Sequence, residues 1–191
     1  MSTVDPGQGH FSPAFQTSPM TSFDNPLELI EACHERMERQ LRTLERMVPH
    51  VAAHGADEAA RGAATAVMRY FDTAARDHHR DEDEDLFPHL RALAARDGRD
   101  EIGAALYELG SEHQAMEVLY ATLREQLDAL AKAQAARLEQ DLVERFCWIY
   151  RRHITMERDV ILPFAREALA PGQLASLGER MAARRRHELA A

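Results

Sequence analysis

The sequence predicts an all-α protein, an antiparallel up-down-up-down four-helix bundle, and three observations lead to this prediction. Alanine, leucine, arginine and glutamate dominate the composition and aromatic residues make up only 6% of it, which favours helices over sheets. Four long stretches carry apolar residues at alternating spacings of three and four, the period of a buried helix face. The connections between these stretches are short, and short connections place consecutive helices side by side and antiparallel.

The first two helices are bounded by prolines. The first begins after Asn25, with proline at its first position, and is predicted to end at Pro49, before a loop over 50–57. The second begins at about Glu58. Pro88 is predicted to kink or end it, because proline lacks the backbone N–H and clashes with the preceding turn.

The other helices follow from their apolar stripes. The third carries its stripe over Leu106–Leu130 and the fourth over Leu138–Phe164, with a kink expected near Pro163. A short amphipathic helix is predicted over Leu174–His187. The predicted organisation is therefore a disordered, Ser/Thr/Pro/Gly-containing tail, a four-helix bundle and a C-terminal helical extension, over 1–23, 24–170 and 171–191 respectively.

Charge and composition disfavour several classes of protein. The formal net charge of −9 argues against binding to nucleic acid, which usually requires a basic surface. The sequence contains no run of about twenty apolar residues, so no membrane span is predicted. The N-terminus lacks the pattern of a secretory signal. Cys33 and Cys147 form no zinc-like spacing, and a bridge between them stays open. We expect a cytoplasmic protein that contacts neither nucleic acid nor membrane.

Histidines and glutamates recur in the apolar stripes. His78, His113 and His153 are each followed by a glutamate four residues later, so that imidazole and carboxylate lie one above the other on a helix face. A fourth histidine interrupts the stripe of the first helix, and two of the glutamates have a proline six residues beyond them. The candidate metal ligands are His34, His78, Glu82, His113, Glu117, His153 and Glu157.

These side chains predict a metal centre in the bundle core. Burying so many ionisable groups without a partner would cost several kcal/mol each. Neutral imidazoles and ionised carboxylates together suit iron or manganese, with zinc as an alternative, and bridging carboxylates in a bundle indicate a pair of metals. For Glu117 three interpretations stay open: a ligand, an acceptor behind a ligand, or a solvated residue at the edge of the stripe.

The spacing of the ligands agrees with a bundle at two of the three turns. Around the turns near Gly98 and Ala133, the ligands lie at the same height to within about one helical turn. At the first turn the agreement fails, because His34 lies about ten residues closer to it than His78 does. The loop over 50–57 would have to compensate for this difference in height between His34 and His78.

Two neighbouring features are predicted to lie outside the centre. His79 lies about 100° around the helix from His78 and is expected to face a neighbour or water. The acidic run over 81–85, apart from Glu82, is predicted to be a solvated face, with attraction of cations as the alternative.

At these residues the sequence resembles the hemerythrin-like family, also called HHE cation-binding domains. The resemblance covers about residues 25–170 and rests on Cys33-His34-Glu35, on His78 to Leu86-Phe87-Pro88, on Glu112-His113, and on His153 to Glu157 followed by Ile161-Leu162-Pro163. It implies a four-helix bundle with a non-haem di-iron centre. The implied terminal ligands are His34, His78, His113 and His153, and the implied bridging carboxylates are Glu82 and Glu157.

The chain departs from the oxygen-carrying hemerythrins at two places. Those proteins have two histidines four apart on the third helix, where this chain has His113 and Glu117. They also have an aspartate five residues after the last histidine, where this chain has Glu157 four residues after His153. A site richer in carboxylates favours ferric iron, so the resemblance implies redox chemistry, peroxide or nitric oxide handling, or iron sensing rather than reversible oxygen carriage.

The leading functional prediction is a non-haem di-iron protein that binds, senses or handles O₂ or related small oxidants. Its expected cofactor is two carboxylate-bridged iron ions, and its expected partner is a small diatomic gas or peroxide, with no protein partner indicated. One alternative is an enzyme that consumes peroxide or nitric oxide with the same residues. The other is an interaction module in which zinc or another metal is only structural.

Overall fold

The computed structural model describes residues 23–134 and 137–188, and within them the chain is all-α, without a β-strand. Two π-helical segments, Asp81–Leu86 and Glu157–Ile161, join neighbouring α-helices without a break. None of the helices in the described ranges has the length and apolar character needed to cross a bilayer. The tail predicted over 1–23 lies outside the described residues except for Phe23. The α-helices are α1 (Pro26–His54), α2 (Glu58–Asp72), α3 (Ala74–Arg80), α4 (Phe87–Arg96), α5 (Asp100–Ala131), α6 (Gln140–Met156), α7 (Leu162–Ala168) and α8 (Pro171–Glu188).

Helices α1, α2, α5 and α6 contact one another in a closed order. Helix α1 packs against α2 and α6, and α5 packs against the same two helices. Helix α3 adds contacts to α1, and α4 adds contacts to α5. Each of these four helices therefore buries its apolar stripe against two of the others.

Helix α1 continues through Pro49, so the prediction that this proline ends the helix is wrong. Pro49 is exposed, while Met47 and Val51 on either side of it are buried. Their packing keeps the helix intact despite the lost backbone hydrogen bond. The helix ends at Gly55, whose φ of 67° suits glycine.

The longer α1 removes the difference in height at the first turn. His34 lies about 20 residues before the end of α1, and His78 lies about 20 residues after the start of α2. Both histidines therefore reach the same level of the core. The loop between the two helices does not have to compensate for a difference in height.

The second predicted helix is interrupted at Thr73 and not at Pro88. Thr73 has φ −126° and ψ −87°, outside the helical region, and separates α2 from α3. At Pro88 the chain stays helical, because the turn before it widens: the Phe87 N–H donates to the Glu82 carbonyl five residues back. The Leu162 N–H donates to the Glu157 carbonyl in the same way before Pro163. The wider turn accommodates each proline ring.

A polar layer divides the apolar core into two clusters. On α1, Met37 belongs to one cluster and Ile30 to the other, with His34 between them. On α5, Met116 and Leu109 belong to different clusters in the same way. The polar layer therefore lies at one height in the core, where the apolar stripes of α1 and α5 pass from one cluster to the other.

Helix α8 covers part of the acidic run. It packs against α1 and against the segment Asp81–Leu86, and it buries Leu177 and Met181. Asp81 and Asp85 are buried beneath it. The prediction of a solvated face is therefore wrong for these two residues, because arginines of α8 pair with their carboxylates.

Gly178 provides a test of the packing of α8. A methyl group at this position would lie 1.9 Å from the Phe23 carbonyl oxygen, so we expect Gly178→Ala to reduce the free energy of unfolding by about 1–3 kcal/mol. The matched control is Gly62→Ala in the interior of α2, where the added methyl meets nothing within 4 Å. This control should increase stability by about 0.5–1 kcal/mol. Urea unfolding measures both, and shifts of the same sign would contradict this packing.

Candidate metal centre

Six of the seven candidate ligands meet in the polar layer, where all of them are buried. They form two groups, and within each group the donor atoms lie within 4.8 Å of one another. The first group is His34, His78, Glu82 and Glu157, and the second is Glu82, His113 and His153. Glu82 belongs to both groups.

In the first group the donor atoms converge without forming hydrogen bonds. His34 Nε2 lies 2.8 Å from Glu157 Oε2, and His78 Nε2 lies 3.1 Å from Glu82 Oε1. The angles at these contacts are not those of hydrogen bonds, and all four atoms are buried without a hydrogen-bond partner. Unsatisfied buried polar atoms are rare because each costs about 1–3 kcal/mol. Donor atoms directed at a common point fit a metal cation.

In the second group each imidazole is oriented by a carboxylate. His113 Nδ1 lies 2.9 Å from Asp83 Oδ2, and His153 Nδ1 lies 3.1 Å from Glu112 Oε2. A carboxylate at Nδ1 holds the proton there and leaves the Nε2 lone pair free to bind a metal. The two Nε2 atoms lie 3.1 Å apart. Two lone pairs at this distance repel each other unless a proton or a cation lies between them.

The two glutamates lie between the groups. Glu82 places Oε1 at 3.1 Å from His78 Nε2 and Oε2 at 3.3 Å from His113 Nε2. Its two oxygens therefore face different groups. Glu157 Oε2 is 2.8 Å from His34 Nε2 and 3.5 Å from His153 Nε2. Both carboxylates therefore lie beside a histidine of each group.

The pKa values of the two glutamates move in opposite directions. Burial raises the pKa of Glu82, and the negative charge of Glu157 raises it further. For Glu157 burial also acts to raise the pKa, but His153 and His34 outweigh it and lower the pKa well below the ordinary value. Two buried carboxylates this close ionise together only with added positive charge. Divalent cations would supply that charge.

The histidines also differ from one another. Burial, followed by the neighbouring His34, lowers the pKa of His78 well below its ordinary value and keeps it in the neutral form that binds metals. Burial acts in the same direction on His153, but the charge of Glu157 and the hydrogen bond that His153 donates to Glu112 raise its pKa to about 9. The two carboxylates beside His153 therefore favour a positive charge at this ring.

Glu117 is the candidate that the structure does not bring into the layer. It is exposed and belongs to neither group, which is the position of a solvated residue at the edge of the stripe, one of the three interpretations left open for it. In an α-helix a residue four positions on lies about 40° further around the axis. On α5 this rotation turns Glu117 outward, and Met116 is buried instead.

A sequence signal separated Glu117 from the other two glutamates. Glu82 and Glu157 each have a proline six residues beyond them and lie in the π-helical segments, whereas Glu117 has neither. The wider turn changes the rotation of the helix at the glutamate. The absence of the proline was therefore informative.

His79 faces a neighbouring side chain, one of the two outcomes expected for it. Its ring stacks on that of His113, with centroids 4.0 Å apart and an angle of 15° between the planes. Its Nε2 is buried without a hydrogen-bond partner, and burial lowers its pKa well below the ordinary value. It belongs to neither group of ligands.

Sequence reasoning missed the roles of Asp83 and Glu112. Asp83 lay in a run of five acidic residues with nothing to distinguish it, and Glu112 was noted only as the residue before His113. Each carboxylate contacts a histidine from a different helix. No periodicity within one helix reports such a contact.

The helical fold and the buried histidine–carboxylate layer define a class of metal-binding helical proteins. The family model of the hemerythrin HHE cation-binding domain matches residues 25–165, so the chain belongs to this family. This match confirms the resemblance that the motifs predicted. An uncharacterized protein of Haemophilus influenzae is 30% identical over 164 residues, which cover 86% of this chain and 92% of that protein.

Two adjacent histidines test the assignment of the groups. We expect His78→Ala to reduce the metal content of the reconstituted protein by on the order of one ion per chain and to lower its Tm, because metal bound only to the folded state stabilises it. His79→Ala should retain the metal, because His79 contacts a ligand without offering a donor atom to either group. Elemental analysis and thermal unfolding measure the difference. Equal loss of metal from both variants would contradict the assignment.

Glu112 tests the role of the carboxylates behind the histidines. Glu112→Ala removes the acceptor of the His153 Nδ1–H, and we expect metal affinity to fall by about 10–100-fold. Glu108→Ala is the matched control, because Glu108 and Glu112 both pair with Arg152 but only Glu112 contacts His153. Competition with a chelator measures both affinities. A similar decrease in the two variants would assign the effect to Arg152 instead.

Proposed function

We propose that this chain is a non-haem di-iron protein that binds, senses or handles O₂, peroxide or nitric oxide, and that its long helices form an antiparallel four-helix bundle around the centre. The observation that carries the proposal is the placement of Glu82. Its two oxygens face different groups of ligands, and a carboxylate shared in this way suits two neighbouring ions.

The chemistry of the donor atoms supports iron. The six buried side chains offer four imidazoles and two carboxylates, a set that suits iron or manganese, with zinc as an alternative. The second group consists of two histidines and one carboxylate. This composition is typical of non-haem ferrous sites that keep coordination positions open for small molecules.

The burial of the ligands supports a small ligand. His78, Glu82, His153 and Glu157 have at most 1% of their surface exposed. Apolar clusters cover the layer on both sides. A diatomic gas or a peroxide is small enough to reach such a layer, whereas a larger substrate would require the helices to separate.

The chain contributes orientation and exclusion of water around the centre. Asp83 and Glu112 hold the imidazoles of His113 and His153 with Nε2 turned inward. The Phe87 ring stacks over His113 at 5.8 Å and excludes water from that side. The Nε2 of His79 has no partner and is available for a hydrogen bond to a small molecule beside the second group. Bound iron would supply the one-electron redox chemistry.

Metal analysis and rapid mixing test this proposal. Protein reconstituted anaerobically with ferrous iron should hold close to two iron ions per chain, and its absorption should change on mixing with oxygen, peroxide or nitric oxide. Glu82→Gln should lose this stoichiometry, whereas Glu117→Gln, which changes an exposed glutamate outside both groups, should retain it. One metal per chain, or a preference for zinc without any spectral response, would overturn the proposal.

The same samples distinguish a binding protein from an enzyme. Sustained loss of peroxide or nitric oxide over many turnovers, with a reductant present, would identify a catalyst. A single spectral change without turnover would identify a binding or sensing protein. Iron content is measured first, so a protein lacking iron cannot be mistaken for an inactive one.

A further inference from the structure

Helix α8 lies beyond the residues that match the family, which end at 165. It nevertheless packs on the π-helical segment Asp81–Leu86, the segment that carries Glu82. His78 lies in the turn immediately before it. An element outside the matched region therefore contacts the part of the chain that supplies two ligands, one of them the shared carboxylate.

Arg184 makes the central contact of α8 with this segment. It pairs with Asp81, and its Nη2 lies 2.8 Å from Glu84 Oε2 and 2.9 Å from Asp85 Oδ2. The side chain of Arg184 is only 9% exposed, and that of Asp81 is fully buried. One guanidinium thus connects carboxylates on both sides of Glu82.

Two further arginines complete the contact. Arg185 Nη2 lies 2.6 Å from Asp81 Oδ2, and Arg180 Nε lies 2.5 Å from Asp85 Oδ1. A buried carboxylate that loses its partner is strongly destabilised, so the position of the segment depends on the arginines.

The acidic run needs such a partner because of its own charge. Five consecutive carboxylates occupy 81–85, and like charges on neighbouring turns repel each other. Asp83 contacts His113, and Glu82 faces the two ligand groups. The other three carboxylates pair with arginines of α8. Without α8, their repulsion would favour a different path for the segment.

We propose that α8 is a positioning element for the metal centre: its arginines hold the Asp81–Leu86 segment so that Glu82 reaches both groups of ligands. Metal occupancy in turn holds α8 against the bundle, because coupling between two binding events is reciprocal. This inference rests on the proposed metal centre. The coupling would transmit a signal from the metal centre to the surface, since loss of the metal would loosen α8 and expose the face that it covers.

Metal release from Arg184 variants tests the positioning role. We expect Arg184→Met to release metal to a chelator about 10–100-fold faster than the wild type, as for other outer partners of metal ligands. Arg184→Lys keeps the charge but loses the forked geometry, so its rate should be intermediate. The matched control is Arg186→Met, which changes an exposed arginine on the same helix and should leave the rate unchanged.

A second control separates positioning from general loss of stability. Leu130→Ala removes a buried side chain in the apolar cluster on the side of the layer away from α8 and lowers stability without touching the acidic run. Its metal release should be slower than that of Arg184→Met at equal Tm. If the two variants release metal at the same rate, the positioning role is overturned.

Hydrogen exchange tests the reciprocal effect. In the wild type, metal should slow amide exchange in α8 and in α5. In Arg184→Met, metal should still slow exchange in α5 but no longer in α8. Wild type that holds two ions yet shows no metal dependence in α8 would overturn the coupling alone. Wild type that binds no metal would overturn the proposed function and this inference together.

Discussion

The whole structure depends on one constraint, the placement of six ionisable side chains in a single buried layer. Four imidazoles and two carboxylates lie between two apolar clusters, where an unpaired charge would cost several kcal/mol. In the first group the donor atoms point at a common position rather than at hydrogen-bond partners. The length of α1 beyond Pro49 places His34 at the level of His78, and Asp83 holds His113 in orientation.

Prolines select which glutamates enter this layer. Inside a helix a proline removes a backbone hydrogen bond, and here the preceding turn widens at Pro88 and at Pro163. Glu82 and Glu157 lie in those wider turns and face inward. Glu117 stands in a regular α-helical turn at the same spacing from its histidine and faces outward. π-Helical turns are frequent at functional sites, and in this chain they carry the two carboxylates of the layer.

The acidic run shows how identical charges acquire different roles. Glu82 faces the ligand groups, and Asp83 orients a histidine on α5. The remaining carboxylates pair with arginines more than ninety positions along the chain. Each role follows from the direction in which the side chain leaves the segment. The run as a whole therefore has no common function as a solvated face.

The sequence by itself determined the helical class, the family, and the four histidines and two glutamates of the layer. It could do so because apolar periodicity and a spacing of four residues report which side chains share a face within one helix. Only the tertiary structure decided that Glu117 turns outward, that His79 stacks on His113, that Glu112 supports His153, and that α8 pairs with the acidic run. These features join residues of different helices or depend on the rotation of a helix about its axis. Packing sets both, and the one local signal of either is the proline six residues beyond Glu82 and Glu157, which Glu117 lacks.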